Sequence, residues 1–273
     1  MLILPSAIIF GVLYLIPLAS LFITSFYRYV PGGQGGGMEY AFTTENYVRF
    51  FRSVYIDNTI STLSMSLTAT FLSVVLAYPI AHFIVRSTGR MKKVLLSMII
   101  ISFLLSTIVR VYALVLSLSD VGVVNVVLHD LGFQGVKILN TELAVIIGLT
   151  HYCIPVAVLT LIGPIQNIDV SLEEAASSLG ATNIHSFLRV TFPLSIPGIA
   201  AAIMLCYSLN VSAFVIPMVL GGGIVEMMAN MIYDRYIEVV NYPFGSTMSV
   251  MLLIISVGIA YGINKAWSSR IRV

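Results

Sequence analysis

Long apolar stretches recur along this 273-residue sequence and constrain its fold more than any other feature. Each is close to the ~20 residues that an α-helix needs to cross the hydrocarbon core of a bilayer. The six candidate spans are residues 2–26, 58–84, 94–118, 142–165, 197–220 and 244–266. Only 10% of the residues are charged, whereas soluble domains carry about 25%. The sequence therefore predicts an all-α integral membrane protein with six transmembrane helices.

The N-terminal part of the sequence favours a retained helix followed by a polar loop. Residues 2–26 lack the basic segment of a signal peptide and exceed the length of its apolar core. The sequence PGGQGGG at 31–37 follows no predicted strand and precedes no lysine, so it predicts a flexible loop and not a phosphate-binding one. Residues 44–51, TENYVRFF, predict a short amphipathic helix on the membrane surface.

A polar segment between the fourth and fifth candidate spans, residues 171–198, breaks the apolar pattern. Ser171 followed by Glu174 fits the capping box that begins a helix. The apolar residues of this helix recur at helical spacing, at Leu172, Ala176 and Leu179. Gly180 suits the left-handed residue that commonly ends a helix.

The same segment predicts a second short helix. Thr182 or Asn183 can cap its beginning, and Pro193 and Pro197 are expected to stop it, because proline removes a backbone donor and clashes with the preceding turn. We call residues 171–198 the elbow, a helix-turn-helix unit between two candidate spans.

Lysine and arginine residues in the loops predict the orientation of the chain, because cytoplasmic loops are enriched in them. With the N-terminus inside, the cytoplasmic side carries eight, namely Arg86, Arg90, Lys92, Lys93, Arg189, Lys265, Arg270 and Arg272. The outer side carries five, namely Arg28, Arg49, Arg52, Lys137 and Arg235. The close-set cations between the second and third spans favour this orientation most. The termini and the elbow are therefore predicted to be cytoplasmic.

No pattern in the sequence predicts catalysis. It contains no HExxH motif, no P-loop and no pair of carboxylates placed for general acid–base chemistry. Cys153 and Cys206 lie in apolar spans without metal-ligand spacing to a histidine, so they are expected to pack in the core. We therefore expect a non-catalytic chain without a catalytic residue, metal or cofactor of its own.

The elbow resembles the EAA loop of bacterial ABC importer permeases. The residues that carry the resemblance are Glu174, Ala175, Ala176, Gly180, Phe192, Pro193 and Leu194. Six spans with this loop between the fourth and fifth also match the type I arrangement. The resemblance implies a type I (MetI-like) permease fold in an inner membrane. It implies a first helix and outer loop at 1–57, a core at 58–266 with a cytoplasmic coupling loop at 166–197, and a cytoplasmic tail at 267–273.

Further segments resemble the spermidine/putrescine-type permease group. They are TENY at 44–47, LAYPIA at 76–81, VRVYAL at 109–114, GVVNVVLHDLG at 122–132, FVIPMVLGGG at 214–223 and NYPFGSTMS at 241–249. This similarity implies a polyamine as the solute. The group also includes importers of other small solutes, so an amino-acid derivative, a phosphonate, iron or thiamine stays open.

The resemblance implies partners and a mechanical role. A second permease chain, a paralogue by this similarity, would complete the pathway; two ATPase subunits would bind ATP and Mg²⁺, and an extracytoplasmic protein would deliver the solute. The residues implied in ATPase coupling are Glu173, Glu174, Ala175, Ala176, Leu179 and Gly180. Glu174 could pair with the ATPase, cap its helix, or do both.

The elbow has two other interpretations. A DNA-binding helix-turn-helix is disfavoured, because it needs cations for phosphate contacts and the elbow offers Arg189 beside acidic residues. A purely structural loop stays open. From another class of function, a passive channel or facilitator also stays open, although a channel does not need an elbow of this kind. The expected surroundings are membrane lipid and not nucleic acid.

Residues of the translocation pathway are harder to identify. Arg110 is the one charge well inside a predicted span, where it either lines a polar cavity or pins helices together. Further candidates for contact with the solute lie in the fourth and fifth spans, namely Tyr152, Tyr207, Asn210 and Ser212. No Asp or Glu lies deep in any predicted span, which counts against a polycationic solute and favours a neutral or anionic one.

Overall fold

The computed structural model describes residues 3–32 and 38–271, and this part of the chain is mostly helical. The helices, in chain order, are α1 (Ile3–Thr24), α2 (Glu45–Phe50), α3 (Ser53–Arg86), α4 (Gly89–Leu104), α5 (Thr107–Leu118), α6 (Val123–Asp130), α7 (Glu142–Gln166), α8 (Val170–Ser178), α9 (Asn183–Ser186), a π-helical turn (Phe187–Thr191), α10 (Phe192–Val211), α11 (Val215–Leu220), α12 (Met228–Ile237) and α13 (Tyr242–Ile271). Strands β1 (Tyr27–Tyr29) and β2 (Met38–Phe42) pair antiparallel. Residues 33–37 of the predicted loop and the predicted cytoplasmic cation Arg272 lie outside the described residues.

The short helix predicted at 44–51 is present as α2. Glu45 lies in its first turn, where a negative charge interacts favourably with the helix dipole. The Asn46 side chain donates hydrogen bonds to the carbonyl oxygens of Ser25, at 3.2 Å, and Tyr27, at 2.9 Å. The buried amide of Asn46 therefore fixes α2 against the segment that follows α1.

Five helices in the described part of the chain are long and apolar enough to cross a membrane. With consecutive helices joined, they are Ser53–Arg86 (α3), Thr107–Asp130 (α5 and α6), Glu142–Gln166 (α7), Ile184–Val211 (α9, the π-helical turn and α10) and Tyr242–Lys265 (within α13). A shorter apolar helical stretch, Ile9–Thr24, lies within α1. The membrane protein predicted from the apolar pattern is thus supported at the level of helix length and composition.

Two of the predicted spans are interrupted. The third, at 94–118, breaks where Leu105 and Ser106 adopt extended backbone between α4 and α5. The fifth, at 197–220, breaks after Val211. Both breaks contain a serine, whose hydroxyl can compete for backbone hydrogen bonds. At the second break the Ser212 hydroxyl donates to the carbonyl oxygens of the preceding turn. Hydropathy alone does not register breaks of two or three residues such as these.

The chain divides into two compact units, each with a core of its own. One unit comprises Met1–Thr62 and Glu226–Val257. Its core is formed by Phe50, Tyr55, Met228, Phe244 and Met248. The Tyr55 and Phe244 rings meet edge to face, with their centroids 4.9 Å apart, an arrangement that aromatic pairs prefer.

The second unit comprises Leu63–Val225 and Gly258–Val273. Its core joins the C-terminal half of α3 to α7 and α10, through Val74, Ala77, Tyr78, Ala81, Ile84, Val85, Cys153, Ala157, Val158, Leu161, Ile165, Ile199, Ala202 and Cys206. Both cysteines are buried in this core, which confirms the packing role predicted for them. The elbow and all of the predicted pathway residues belong to this unit.

Candidate functional site

The first helix of the elbow begins earlier than the capping box predicts. Asp169 is its N-cap, and the Asp169 carboxylate accepts a hydrogen bond from the backbone N–H of Ser171 at 2.9 Å. This bond lowers the pKa of the Asp169 carboxyl. The predicted capping box of Ser171 and Glu174 is therefore wrong, because the helix begins two residues earlier, where the Asp169 carboxylate caps a free N–H group of the first turn. Glu174 therefore does not cap α8.

The end of α8 follows the prediction for Gly180. This glycine adopts a left-handed backbone with φ of +87°, a conformation that costs other residues energy. The backbone N–H of Gly180 donates to the carbonyl oxygen of Ser177 at 2.9 Å, and that of Ala181 donates to Ala176 at 3.0 Å. This pair of bonds is the Schellman arrangement, which satisfies the last carbonyls of a helix.

The second helix of the elbow is not stopped by its prolines. The Thr182 hydroxyl oxygen accepts a hydrogen bond from the backbone N–H of His185 at 3.4 Å, as expected for a cap. Beyond α9 the chain continues through the π-helical turn into α10, so the predicted stop at Pro193 and Pro197 is wrong. In the wider π-helical turn the N–H of Phe192 bonds to the carbonyl of Phe187 five residues back. Pro193 then falls in the first turn of α10, where its missing N–H costs little.

One face of α8 is open to solvent. Glu174, Ala175 and Leu179 are exposed, and the Leu179 side chain reaches 90% exposure. Leu172 is also exposed, whereas Ala176 is half-buried. The apolar residues predicted to share one face therefore do not cover a core of this chain. The residues implied in coupling by the resemblance, apart from Glu173 and Ala176, lie fully on the exposed side.

The Glu173 side chain is directed toward other parts of this chain and not toward solvent. Its Oε1 accepts a hydrogen bond from the guanidinium of Arg86, the last residue of α3, at 2.5 Å. The same oxygen accepts a hydrogen bond from the hydroxyl of the fully buried Thr191 at 2.7 Å. Partial burial raises the pKa of Glu173, but the bonds from Thr191 and Arg86 outweigh it, so the pKa lies below its ordinary value. Glu173 is therefore held as a carboxylate at neutral pH.

A cleft of about 500 Å³ opens beside α8. Its lining consists of His82, Val170, Glu173, Glu174, Ser177, Ser186, Phe187 and Thr191. The Ser186 hydroxyl is buried without a hydrogen-bond partner among the described residues. A cleft that carries two carboxylates and a free hydroxyl offers hydrogen-bond acceptors to a basic group.

The structure brings two of the predicted pathway residues together. The guanidinium carbon of Arg110 lies 5.0 Å from the centre of the Tyr152 ring, within the range of a cation–π interaction. Arg110 is only 8% exposed, and its Nε and Nη1 atoms have no hydrogen-bond partner among the described residues. The positive charge of Arg110 is therefore stabilised by the face of the Tyr152 ring, and two of its hydrogen-bond donors remain unpartnered within the described chain.

The other three candidates differ in their surroundings. Asn210 is fully buried; its Nδ2 donates to the Thr70 hydroxyl at 3.0 Å, and its Oδ1 accepts from the Cys153 thiol at 3.1 Å. Tyr207 is buried, and its hydroxyl has no partner within the described chain. Ser212 is exposed at the end of α10 and bonds only to that helix. Thr70, which accepts the hydrogen bond from Asn210, was not identified from the sequence.

Across residues 3–32 and 38–271, no group of three or more His, Cys, Asp or Glu side chains could hold a metal ion. Some polar groups of the second unit instead form hydrogen bonds between helices, as Asn210 does with Thr70.

Comparison with known proteins agrees with these features. The sequence is 33% identical over 245 residues to the spermidine/putrescine transport system permease protein PotB of Haemophilus influenzae, covering 87% of this chain and 86% of that protein. It is 33% identical over 216 residues to PotB of Escherichia coli K12, covering 78% of each. The fold is similar to a chain of a bacterial alginate ABC transporter, solved in complex with a periplasmic protein that binds an alginate pentasaccharide. That similarity has a TM-score of 0.79 at 18% identity and covers 100% of this chain and 94% of the other.

The match to a protein family extends over most of the chain. Residues 69–273, which include the elbow and every predicted pathway residue, match the family described as the inner membrane component of binding-protein-dependent transport systems. The chain therefore belongs to this family of transport permeases.

Proposed function

We propose that this permease subunit forms half of the translocation pathway of an ABC importer for polyamines and receives its driving force through the elbow. The observation that carries the proposal is the geometry of α8. This helix lies between two candidate membrane spans, and its Glu174 and Ala175 side chains are exposed. A short exposed helix of this kind suits docking into a groove of a partner protein.

Six membrane crossings follow if α1 is the first and α4 and α5 together are the third. Helix α4 carries cations in its first turns and is apolar afterwards, but its 16 residues rise only about 24 Å. It therefore needs α5 to cross a core of ~30 Å. In this arrangement both termini and the elbow are cytoplasmic. The chain then divides into a first transmembrane helix with its outer loop at 1–57, a core at 58–266 with its coupling loop at 166–197, and a cytoplasmic tail at 267–273.

The partners follow from this architecture. A second permease chain of related sequence completes the pathway, and two ATPase subunits hydrolyse ATP with Mg²⁺ on the cytoplasmic side. An extracytoplasmic binding protein delivers the solute to outer segments near residues 136–142 and 221–243. The ATPase contact is assigned to the exposed residues Glu174, Ala175, Leu179 and Gly180, with Ala176 and Glu173 supporting them from the inner side of α8.

The pathway is assigned to the polar residues of α5, α7 and α10. Arg110 and Tyr152 form one polar pair, and Tyr207 and Asn210 add a free hydroxyl and a bound amide on α10. Ser212 lies at the exposed end of that helix. The rearrangement that exposes these groups alternately is a rigid-body movement biased by nucleotide binding on the ATPases.

Polyamine as the solute is supported by the two PotB relatives and by charge on the outer segment. Burial raises the pKa of Glu226, and the neighbouring carboxylates of Asp234 and Glu238 raise it further. Carboxylates that repel one another are stabilised by an approaching cation. An acidic outer segment of this kind would favour the approach of an ammonium group even though the spans carry no deep carboxylate.

One observation favours a second solute class. Arg110 presents a buried positive charge that has unpartnered donors and no carboxylate partner within the described part of the chain, which suits an anionic or neutral solute in the same machinery. Binding of candidate solutes to the partner binding protein separates the two classes, because a polyamine-binding protein gives heat on titration with spermidine or putrescine and none with anions.

The docking role is tested by expressing the tagged chain with the proteins encoded beside it and purifying it in mild detergent. Wild type should bring down an ATPase and a second permease, and loaded binding protein should stimulate ATP hydrolysis. Glu174→Gln should lower ATPase recovery, because it removes the exposed charge and no cap. Glu45→Gln, an exposed site on α2, is the matched control. Unchanged ATPase recovery with Glu174→Gln would contradict docking through this residue, and a chain that purifies alone would favour a passive channel.

A further inference from the structure

We propose that Glu173 is the positioning residue that fastens the elbow to two membrane helices, so that a displacement of α8 moves α3 and α10 together. The inference rests on the proposed coupling function of the elbow and separates two adjacent carboxylates. Glu174 contacts the partner, whereas Glu173 transmits the movement within this chain.

The Glu173 carboxylate connects α8 to two other helical segments. One oxygen, Oε1, accepts hydrogen bonds from Arg86 at the end of α3 and from Thr191, the last residue of the π-helical turn. We call this turn together with α10, residues 187–211, the α10 segment. Three helical segments that are distant in sequence thus meet on a single atom. Thr191 is fully buried, so its hydroxyl cannot exchange this bond for one with water without a cost.

Glu173 is also the one side chain of α8 that hydrogen-bonds a residue outside that helix, within the part of the chain that the structure describes. The hydroxyls of Ser177 and Ser178 donate to carbonyl oxygens of α8 itself. Glu174 is exposed. Without Glu173, α8 would be held mainly by its covalent ends and by apolar contact.

The two helices that Glu173 joins are already fastened to each other. Residues four apart on α3, namely Tyr78, His82 and Arg86, lie on one face of the helix. Across from them a second series has the same spacing, at Phe187, Thr191 and Ser195. The Tyr78 and Ser195 hydroxyls lie 2.7 Å apart.

Aromatic contacts fill the space between the polar ones. The Phe187 ring meets the His82 ring at 5.4 Å and the Tyr78 ring at 5.6 Å between centroids, both edge to face. The interface between α3 and the α10 segment is thus continuous over about two helical turns, the distance spanned by positions i to i+8. Because the two helices form one packed body here, a single attachment of α8 is enough to move both.

An exposed ion pair on its own would be a weak link. Glu173 differs, because the buried Thr191 bond fixes the carboxylate on one side and the guanidinium of Arg86 orients it on the other. The charge of Glu173 therefore affects the position of α8 more than the overall stability of the protein. The amount of solute imported per ATP hydrolysed is for this reason the sensitive measurement.

The test uses the complete transporter in proteoliposomes and measures solute imported per ATP hydrolysed. Glu173→Gln retains an oxygen for Thr191 but removes the ionic contact with Arg86, and we expect this ratio to fall several-fold. ATPase recovery on purification should stay at the level of wild type. The charge-exchanged variant, Glu173→Arg with Arg86→Glu, should recover part of the ratio, because it restores the ion pair but offers Thr191 no acceptor. A general folding defect would not be relieved by the exchange.

The outcomes separate this inference from the proposed function. If Glu173→Gln imports solute per ATP as wild type does, or if the exchanged pair recovers nothing, the positioning role is overturned while docking through Glu174 stands. If Glu173→Gln instead loses the ATPase on purification, Glu173 belongs to the docking surface and the proposed division between the two carboxylates is overturned.

Discussion

The guanidinium of Arg110 lies over the ring of Tyr152, with 5.0 Å between the guanidinium carbon and the ring centre. The pair links α5 to α7 inside the second unit, and Arg110 has no carboxylate partner there among the described residues. A buried cation without a counter-ion is costly in a membrane protein and commonly marks a functional position. The aromatic face offsets part of this cost.

Substitution of Tyr152 separates the contribution of the ring from that of its hydroxyl. Tyr152→Phe keeps the aromatic face and should leave stability close to wild type. Tyr152→Leu removes the face and should cost about 1–2 kcal/mol, the range of a desolvated cation–π contact. Thermal unfolding of the purified complex measures the difference. Equal midpoints for the two variants would show that the ring does not stabilise Arg110.

Asn210 should be among the most sensitive polar positions of the core. Asn210→Ala removes the partner of the Thr70 hydroxyl in a buried site and leaves the Cys153 thiol with its longer contact to the Cys206 carbonyl, and an unsatisfied buried group costs about 1–3 kcal/mol. Thr70→Val is the informative companion variant, because it removes the hydroxyl that accepts the hydrogen bond from Asn210. A double-mutant cycle on unfolding midpoints should show coupling between the two positions, and strict additivity would contradict it.

Much of the fold could be predicted because it depends on periodic or compositional signals. Apolar length located the candidate membrane helices, and the position of Gly180 located the end of α8. The start of α8 was missed because two caps compete: both Asp169 and Ser171 are suitable residues, and the sequence alone does not rank them. The continuation through Pro193 was missed because a π-helical turn has no sequence signature of its own.

The site could be predicted only in part for a similar reason. The exposed EAA residues form a local pattern, whereas the contacts of Glu173 join residues 87 and 18 positions away along the chain. Arg86 counted only as a loop cation in the sequence analysis. The four-residue spacing of Tyr78, His82 and Arg86 was visible, but nothing in the sequence identified the facing helix.

Gly198 marks a close approach of α10 to α7. A Cβ at this position would lie 2.5 Å from Cβ and 2.7 Å from Cγ of Pro164, whose ring cannot rotate away. Gly198→Ala should therefore destabilise the protein by about 1–3 kcal/mol, as overpacking does. Gly163→Ala is the matched control, because its Cβ would meet no atom within 4 Å. Without the clash, alanine should stabilise the helix by ~0.5–1 kcal/mol. Unfolding midpoints that shift in the same direction would contradict the close contact.

The attachment of Glu173 should depend on pH in the acidic range. Partial burial opposes ionisation of Glu173, but the bonds from Thr191 and Arg86 lower its pKa below the ordinary 4.5. A carboxyl with a depressed pKa contributes stability that is present above its unfolded pKa and is lost as pH falls through the folded value. Limited proteolysis of the elbow should accelerate below pH 4.5 in wild type. Glu173→Gln should weaken this acceleration and leave the part that comes from protonation of the Asp169 cap, and an identical pH profile would assign all of it to groups other than Glu173.

Val240 offers a stabilising substitution outside the candidate spans. It has a left-handed backbone with φ of +54°, and the β-branched side chain makes this conformation more costly than the roughly 1–2 kcal/mol that an ordinary residue pays. Val240→Gly removes that cost but adds the entropy of a glycine in the unfolded chain, so a net gain of about 0.5–1 kcal/mol is expected. Val239→Gly is the control, because Val239 has no positive φ and glycine there should only destabilise. Thermal unfolding of both variants measures the contrast, and a lower midpoint for Val240→Gly than for wild type would mean that the valine side chain stabilises its turn by more than the backbone strain costs.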